Sequence, residues 1–313
     1  MNTSPIIPLP PVKHYYPFAP QPFRIAMNLR PLDLDEWLEI DTEFPHQLAE
    51  KRRLLAEQHA AVFEARPEAW AASQETLDLL IAHLTHYYPQ IYQRHGRTLV
   101  NQITAEEWPL DQHGLHPLDL AGRLVQEDLC LMKHDPAAGI YRLVGASLCF
   151  PTRWRLAEKM GRSLATIHIP TPNYTTQLAS PMDRLFDKLK VHKPVWRTNW
   201  NVLDDGSLFQ PTGHGREDYK TDVTIENVGQ KIWLRIERQT LRRLPSSQDI
   251  LFTIRIYNYR FDSLADKPEV AQRLAIALAE QGEAMIEYKS MRPILDATVA
   301  WLKNVGSPPT TRH

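Results

Sequence analysis

The chain has 313 residues, of which 43% are hydrophobic and 23% charged, with a formal net charge of −1. Such a chain suits one large or two modest globular domains, and its near-zero charge offers no general attraction to nucleic acid or an anionic membrane. Two cysteines, Cys130 and Cys149, imply no disulfide framework and exclude a four-thiolate zinc or iron–sulfur site.

Residues 1–23 are proline-rich and biased toward extended conformations, either as an arm over another surface or as a free tail. They lack the charged start and continuous apolar stretch of a signal peptide. No apolar run in the chain approaches the roughly 20 residues of a membrane span, so cytoplasm is the expected compartment.

From Leu34 to about His134 the periodicity predicts helices. Trp37, Ile40, Phe44 and Leu48 recur at helical spacing, as do Leu77, Leu80, Ile81 and Leu84. Asp33 is a candidate cap for the first helix, Ser73 lies near the start of the second, and a shorter helix is expected over Pro117–Leu124. The pairs His83/His86 and His113/His116 have metal-compatible spacing. Without a nearby cysteine or convincing carboxylate, they read as surface or hydrogen-bonded histidines.

After Pro136 the texture changes. Ile140–Phe150 predicts a strand or a hairpin arm, and Arg153–Met160 and Met182–Leu189 short helices. Ala165–Ile169, Val195–Val202, Ile232–Leu241 and Ile250–Phe261 predict strands by their β-branched and aromatic content. Pro245-Ser246-Ser247 supplies a turn between the last two. The expectation is an α+β fold with an antiparallel sheet, closed by helices from Pro268 to Lys303 with a break near Pro293.

Alternation along these strands separates Ile232, Leu234 and Ile236 from Trp233, Arg235, Glu237 and Gln239. It likewise separates Phe252, Ile254 and Ile256 from Thr253, Arg255, Tyr257 and Tyr259, and Ile167 and Ile169 from Thr166 and His168. Two readings remain open: an antiparallel sheet with one wet face, or a polar pocket holding a histidine, a carboxylate, arginines and tyrosines. Lys231–Arg243 carries five basic residues and one acid, Glu237. It can be a solvated basic strand, a set of forks for carboxylates such as haem propionates, or a docking patch for an acidic redox partner. Phosphate-cradling, dinucleotide-binding, zinc-protease and nucleophile-elbow motifs are absent. A redox role would therefore draw its electrons from another polypeptide.

Three segments carry a family resemblance. Ile167-His168-Ile169-Pro170-Thr171-Pro172-Asn173-Tyr174 is one. Trp196-Arg197-Thr198-Asn199-Trp200 with Asp204-Asp205-Gly206 is the second. The most specific, Trp233-Leu234-Arg235-Ile236-Glu237-Arg238-Gln239-Thr240-Leu241-Arg242-Arg243-Leu244-Pro245, continues into Phe252-Thr253-Ile254-Arg255-Ile256-Tyr257. Together they resemble the α subunit of the haem-dependent oxidative N-demethylase that acts on dimethylamine. The likeness spans roughly residues 20–300.

The resemblance implies a PAS-like haem-binding core at 137–264, preceded by the 1–23 arm and a helical region at 24–136, and followed by C-terminal helices at 265–313. It implies haem b as cofactor and oxygen-dependent demethylation of a small secondary amine. Companion subunits carrying flavin, an iron–sulfur cluster and folate chemistry would supply electrons and take the one-carbon product. His168 is the expected axial ligand, with His192 as runner-up. Glu237 would hold the protonated amine, unless it is a structural ion-pair partner of Arg197, Arg235 or Arg255. Arg197, Arg235, Arg238 and Arg255 are candidates for propionates or for polarising oxygen, and Tyr174 and Tyr257 for hydrogen bonds in the pocket. A haem-based gas sensor on the same fold is the alternative.

Overall fold

The computed structural model describes residues 7–18, 27–111, 114–172, 174–212 and 222–306. His113, Asn173 and the two ends of the proline-rich segment lie outside them. The architecture is α+β. A seven-stranded antiparallel sheet runs in the order β1-β8-β9-β10-β6-β7-β2. Its strands are β1 Arg30–Pro31, β2 Phe63–Ala65, β6 Asp128–Asp135, β7 Ile140–Ser147, β8 Val195–Leu203, β9 Trp233–Arg243 and β10 Ile250–Arg260. A separate three-stranded sheet joins β3 Tyr92–His95, β4 Thr98–Asn101 and β5 Glu106–Pro109.

The helices are α1 Phe44–Glu57, α2 His59–Val62, α3 Trp70–Tyr87, α4 Pro117–Leu124, α5 Leu164–Ile167, α6 Tyr174–Gln177, α7 Ala179–Lys188, α8 Val228–Lys231, α9 Pro268–Ala279, α10 Glu283–Tyr288 and α11 Arg292–Gly306. One sheet face is closed by two clusters. Leu129, Leu131 and Leu251 pack with α1, α3 and α4, and Leu234, Ile236 and Tyr257 pack with α9 and α11. The other face, carrying Cys130, Met132, Leu143, Leu241 and Ile254, packs against the segment from Leu148 to Leu189.

The β9–β10 hairpin aligns the two longest strands in full register, with Glu237 opposite Ile256 and Arg238 opposite Arg255. The backbone amides of Ser246 and Ser247 in its turn donate to the Glu75 carboxylate on α3 at 2.6 and 2.8 Å. Residues 7–18 lie along the protein: Thr42 donates its amide to the Pro10 carbonyl at 3.0 Å, and Phe18 is buried edge-on against Trp200.

Several elements differ from the sequence expectations. β6 ends the region expected to be helical, because Leu129 to Met132 sit mid-sheet between β10 and β7 and are buried on both faces. No period-two alternation marks such a strand. Ala165–Ile169 is not a strand. The Ser163 hydroxyl accepts the Thr166 amide at 3.2 Å and caps α5, so a local cap overrides the β-branched composition. Arg153–Met160 holds only the single turn Leu156–Glu158, after Arg153 takes φ 60°. The C-terminal break falls at 289–291, and Pro293 occupies the first turn of α11.

His83 is neither exposed nor hydrogen-bonded among the described residues. It packs edge-on against Trp37 at 5.1 Å, and burial pushes its pKa down to about 4. The His116 ring accepts the Leu118 amide at 3.2 Å at the start of α4. No cluster of three or more metal-type side chains occurs among the described residues. No described helix is long and apolar enough to cross a membrane.

Candidate functional site

Cross-strand partners in an antiparallel sheet point to the same side. Glu237 therefore shares its face with Ile256 and Asn199, whereas Arg238 shares the opposite face with Arg255. The polar stripes of β9 and β10 consequently lie on opposite sides of the sheet. The single polar pocket suggested by the separate alternations is divided in two.

On the α1/α9 side, Arg255 pairs with Asp41 at 2.8 Å and the Tyr257 hydroxyl donates to Glu39. Arg238 donates to the Trp37 carbonyl at 3.2 Å, and its Nε lies 3.6 Å from Glu39. All three are buried and none lines the cavity on the other face. Among the described residues, neighbouring carboxylates and carbonyls hold these side chains.

The other face opens into a cavity of about 310 Å³, within the range of small-molecule and cofactor sites. Apolar side chains such as Met132, Leu143, Met182, Phe186 and Phe252 supply much of its wall. His168 lines it from the end of α5. Its Nδ1 lies 2.9 Å from the Leu164 carbonyl, which can only accept, so Nδ1 carries the proton. Nε2 has no hydrogen-bond partner among the described residues. Burial pushes the imidazole pKa down to about 4, so the ring is neutral at pH 7. Tyr174 stacks on it at 4.3 Å with planes 13° apart, and the Tyr174 hydroxyl is buried without a partner among the described residues. His192, by contrast, sits on an exposed loop in a separate surface concavity beside Lys190.

Glu237 lines the cavity and is 8% exposed. Its carboxylate accepts from the Thr152 hydroxyl at 2.6 Å, the Gln239 amide at 2.8 Å and the Asn199 amide at 3.4 Å. It forms no ion pair among the described residues, so the expected alternative of a direct pair with Arg197, Arg235 or Arg255 is not realised. Arg235 stands behind it, outside the cavity. Nε donates to Thr152 at 3.0 Å, and the terminal nitrogens reach the carbonyls of Ser207, Phe150 and Leu208 at 2.9 Å each.

Arg197 faces the cavity from β8. It makes no hydrogen bond or ion pair among the described residues, its Nε is buried, and desolvation lowers its pKa. Two lysines missed in the sequence also line the wall. Lys159 lies over the Trp154 ring and Lys289 over the Trp200 ring, each 4.5 Å from the centroid. Burial pushes both down to about 8, opposed by Glu237. The described lining thus sets three cations and a neutral imidazole against one carboxylate. An apolar ligand with an anionic edge and a metal that accepts a neutral nitrogen fits this donor set. Cys130 also lines the cavity, but burial raises its thiol pKa, which leaves it an inert apolar neighbour.

A family model described as haem-dependent oxidative N-demethylase, alpha subunit-like, matches residues 28–299.

Proposed function

Because the chain belongs to the haem-dependent oxidative N-demethylase, alpha subunit-like family, we propose that this cavity binds haem b and presents a small secondary ammonium for removal of an N-methyl group. The observation that carries the reading is His168, a neutral imidazole whose Nδ1 is tied to the Leu164 carbonyl and whose Nε2, beside a largely apolar cavity, has no partner among the described residues. That is the state an axial nitrogen donor needs, with the far ring nitrogen fixing tautomer and orientation.

Arg197, assisted by Lys159 and Lys289, would hold the two propionates. The cavity's cationic excess suits that role, and neutralising it leaves Glu237 as the anion for a cationic substrate. Haem b, when bound, would supply oxygen activation: O2, two external electrons and two protons would convert the N-methyl group to a carbinolamine and water, and the carbinolamine would separate into formaldehyde and the smaller amine. Glu237 binds and orients the ammonium, Tyr174 braces His168 by stacking, and the apolar wall restricts water. Arg235 positions rather than touches the substrate. The family resemblance implies a flavin and iron–sulfur partner as the electron donor, in keeping with this chain's two cysteines and missing dinucleotide motif. A folate-binding subunit takes the one-carbon product.

The test is titration of the haem-loaded protein with dimethylammonium, followed by its absorption spectrum. Glu237→Gln keeps the shape and removes the charge, so haem content persists. A lost charge-assisted hydrogen bond of about 1.5–3 kcal/mol weakens amine binding roughly 10- to 150-fold. Unchanged amine affinity with loss of haem or of folding would make Glu237 a structural residue and overturn this assignment.

A further inference from the structure

Thr152 lies between Arg235 and Glu237, and its one hydroxyl proton can go only one way. Arginine is a donor without an acceptor, so Thr152 Oγ1 must accept the Arg235 Nε–H at 3.0 Å. The proton is thereby committed to Glu237 Oε1 at 2.6 Å. The rest of Arg235 is spent on the carbonyls of residues 150, 207 and 208, so it cannot rotate to meet Glu237 directly without breaking those bonds. Thr152 itself is fixed by its bridge to Gln210, with the next amide, of Arg153, donating to the Gln210 carbonyl at 2.7 Å. That next residue holds φ 60°, sparsely populated for a side chain other than glycine, so the chain accepts strain where this hydroxyl is placed.

We propose that Thr152 is the positioning residue of the ammonium site: it relays the Arg235 charge to Glu237 while keeping the carboxylate free of a direct ion pair. The proposal deepens the assignment of Glu237 to the cationic substrate and rests on it. A direct arginine pair would neutralise the carboxylate and leave little charge for an alkylammonium. An unsupported buried carboxylate would be poorly oriented and costly to keep ionised. A hydroxyl polarised by arginine avoids both, and the Gln239 and Asn199 amides complete the cradle with neutral donors.

The experiment compares Thr152→Val, Thr152→Ala and Thr152→Ser, alone and combined with Glu237→Gln. Haem-loaded proteins are titrated with dimethylammonium and, as a control that needs no carboxylate, with cyanide. The expected result is amine affinity about tenfold weaker in the Val and Ala variants. Thr152→Ser restores it to within about twofold, cyanide affinity is unchanged, and Val or Ala adds nothing in the Glu237→Gln background. The alanine variant leaves room for water at Arg235 if the valine variant does not fold. If Glu237→Gln weakens amine binding but Thr152→Val and Thr152→Ala do not, the relay is wrong while the Glu237 assignment stands. If Glu237→Gln has no effect, that assignment fails and the relay with it. Equal loss of amine and cyanide binding, or no rescue by serine, makes Thr152 a packing residue and overturns the proposal.

Discussion

In Arg197→Met the guanidinium on the cavity side of β8 is exchanged for an unbranched apolar side chain of similar reach. Without haem, Arg197 has no hydrogen bond or ion pair among the described residues and its Nε is buried; the cost of desolvation outweighs the attraction of the Glu237 charge, so its pKa is lowered. Removing such a charge relieves a cost, so the haem-free variant should be at least as stable as the wild type. With haem the sign reverses. A charge-assisted bond to a propionate is worth about 1.5–3 kcal/mol. Because Arg197 is only half-buried, solvent screening favours the lower part of that range, a roughly 10- to 30-fold loss of haem affinity. The assay is Soret absorbance on titrating haem-free protein with haem, beside thermal unfolding of the haem-free forms. Haem dimethyl ester, which lacks the propionate charges, should bind variant and wild type alike. Equal losses for haem and its ester, or a destabilised haem-free variant, would refute the reasoning and leave Arg197 a packing residue.

Lys159 and Lys289, pushed down to about 8, are partly deprotonated near pH 8.5, and nearby propionates would restore their protons. Haem binding at that pH should therefore take up protons, measurable by calorimetry in buffers of different ionisation enthalpy; proton release would contradict it. The depressed pKa of His168, about 4, means that protons compete for Nε2 only in strong acid. Haem affinity should stay level from pH 7 to pH 5 and fall toward pH 4; a tenfold fall between pH 7 and pH 5.5 would restore an ordinary histidine. Asp204 accepts from Arg153 at 2.7 Å, and Arg153 also donates to the Lys289 carbonyl at 3.0 Å. Asp204→Asn should lower stability to urea by about 3 kcal/mol, and a loss below about 1 kcal/mol would show that the buried pair is not needed.

What the sequence disclosed followed from local chemistry. The β9–β10 hairpin announced itself through alternation and the Pro245-Ser246-Ser247 turn, and α3 and α4 through periodicity and Pro117. β6 did not, because a strand buried on both faces has no alternation to read. The division of the polar residues between two sheet faces was also hidden: each strand alternates correctly alone, but only the register, Glu237 opposite Ile256, shows that the stripes point apart. His168 was found through its motif although its element was misjudged, since a serine cap three residues before Thr166 decides for helix. Thr152, Lys159 and Lys289 carried no periodic or motif signal. They come from a strained turn, a loop after a 3-10 turn and the end of α10, and only tertiary packing brings them to Glu237.

The central claim is that His168 holds haem, and the absorption spectrum of haem-titrated wild type, His168→Ala and His192→Ala tests it most directly. A Soret band in wild type and His192→Ala, with its loss or severe weakening in His168→Ala at unchanged thermal stability of the haem-free protein, is the predicted result. A full Soret band in His168→Ala, with the band lost in His192→Ala, would move the ligand to the surface loop and contradict the assignment.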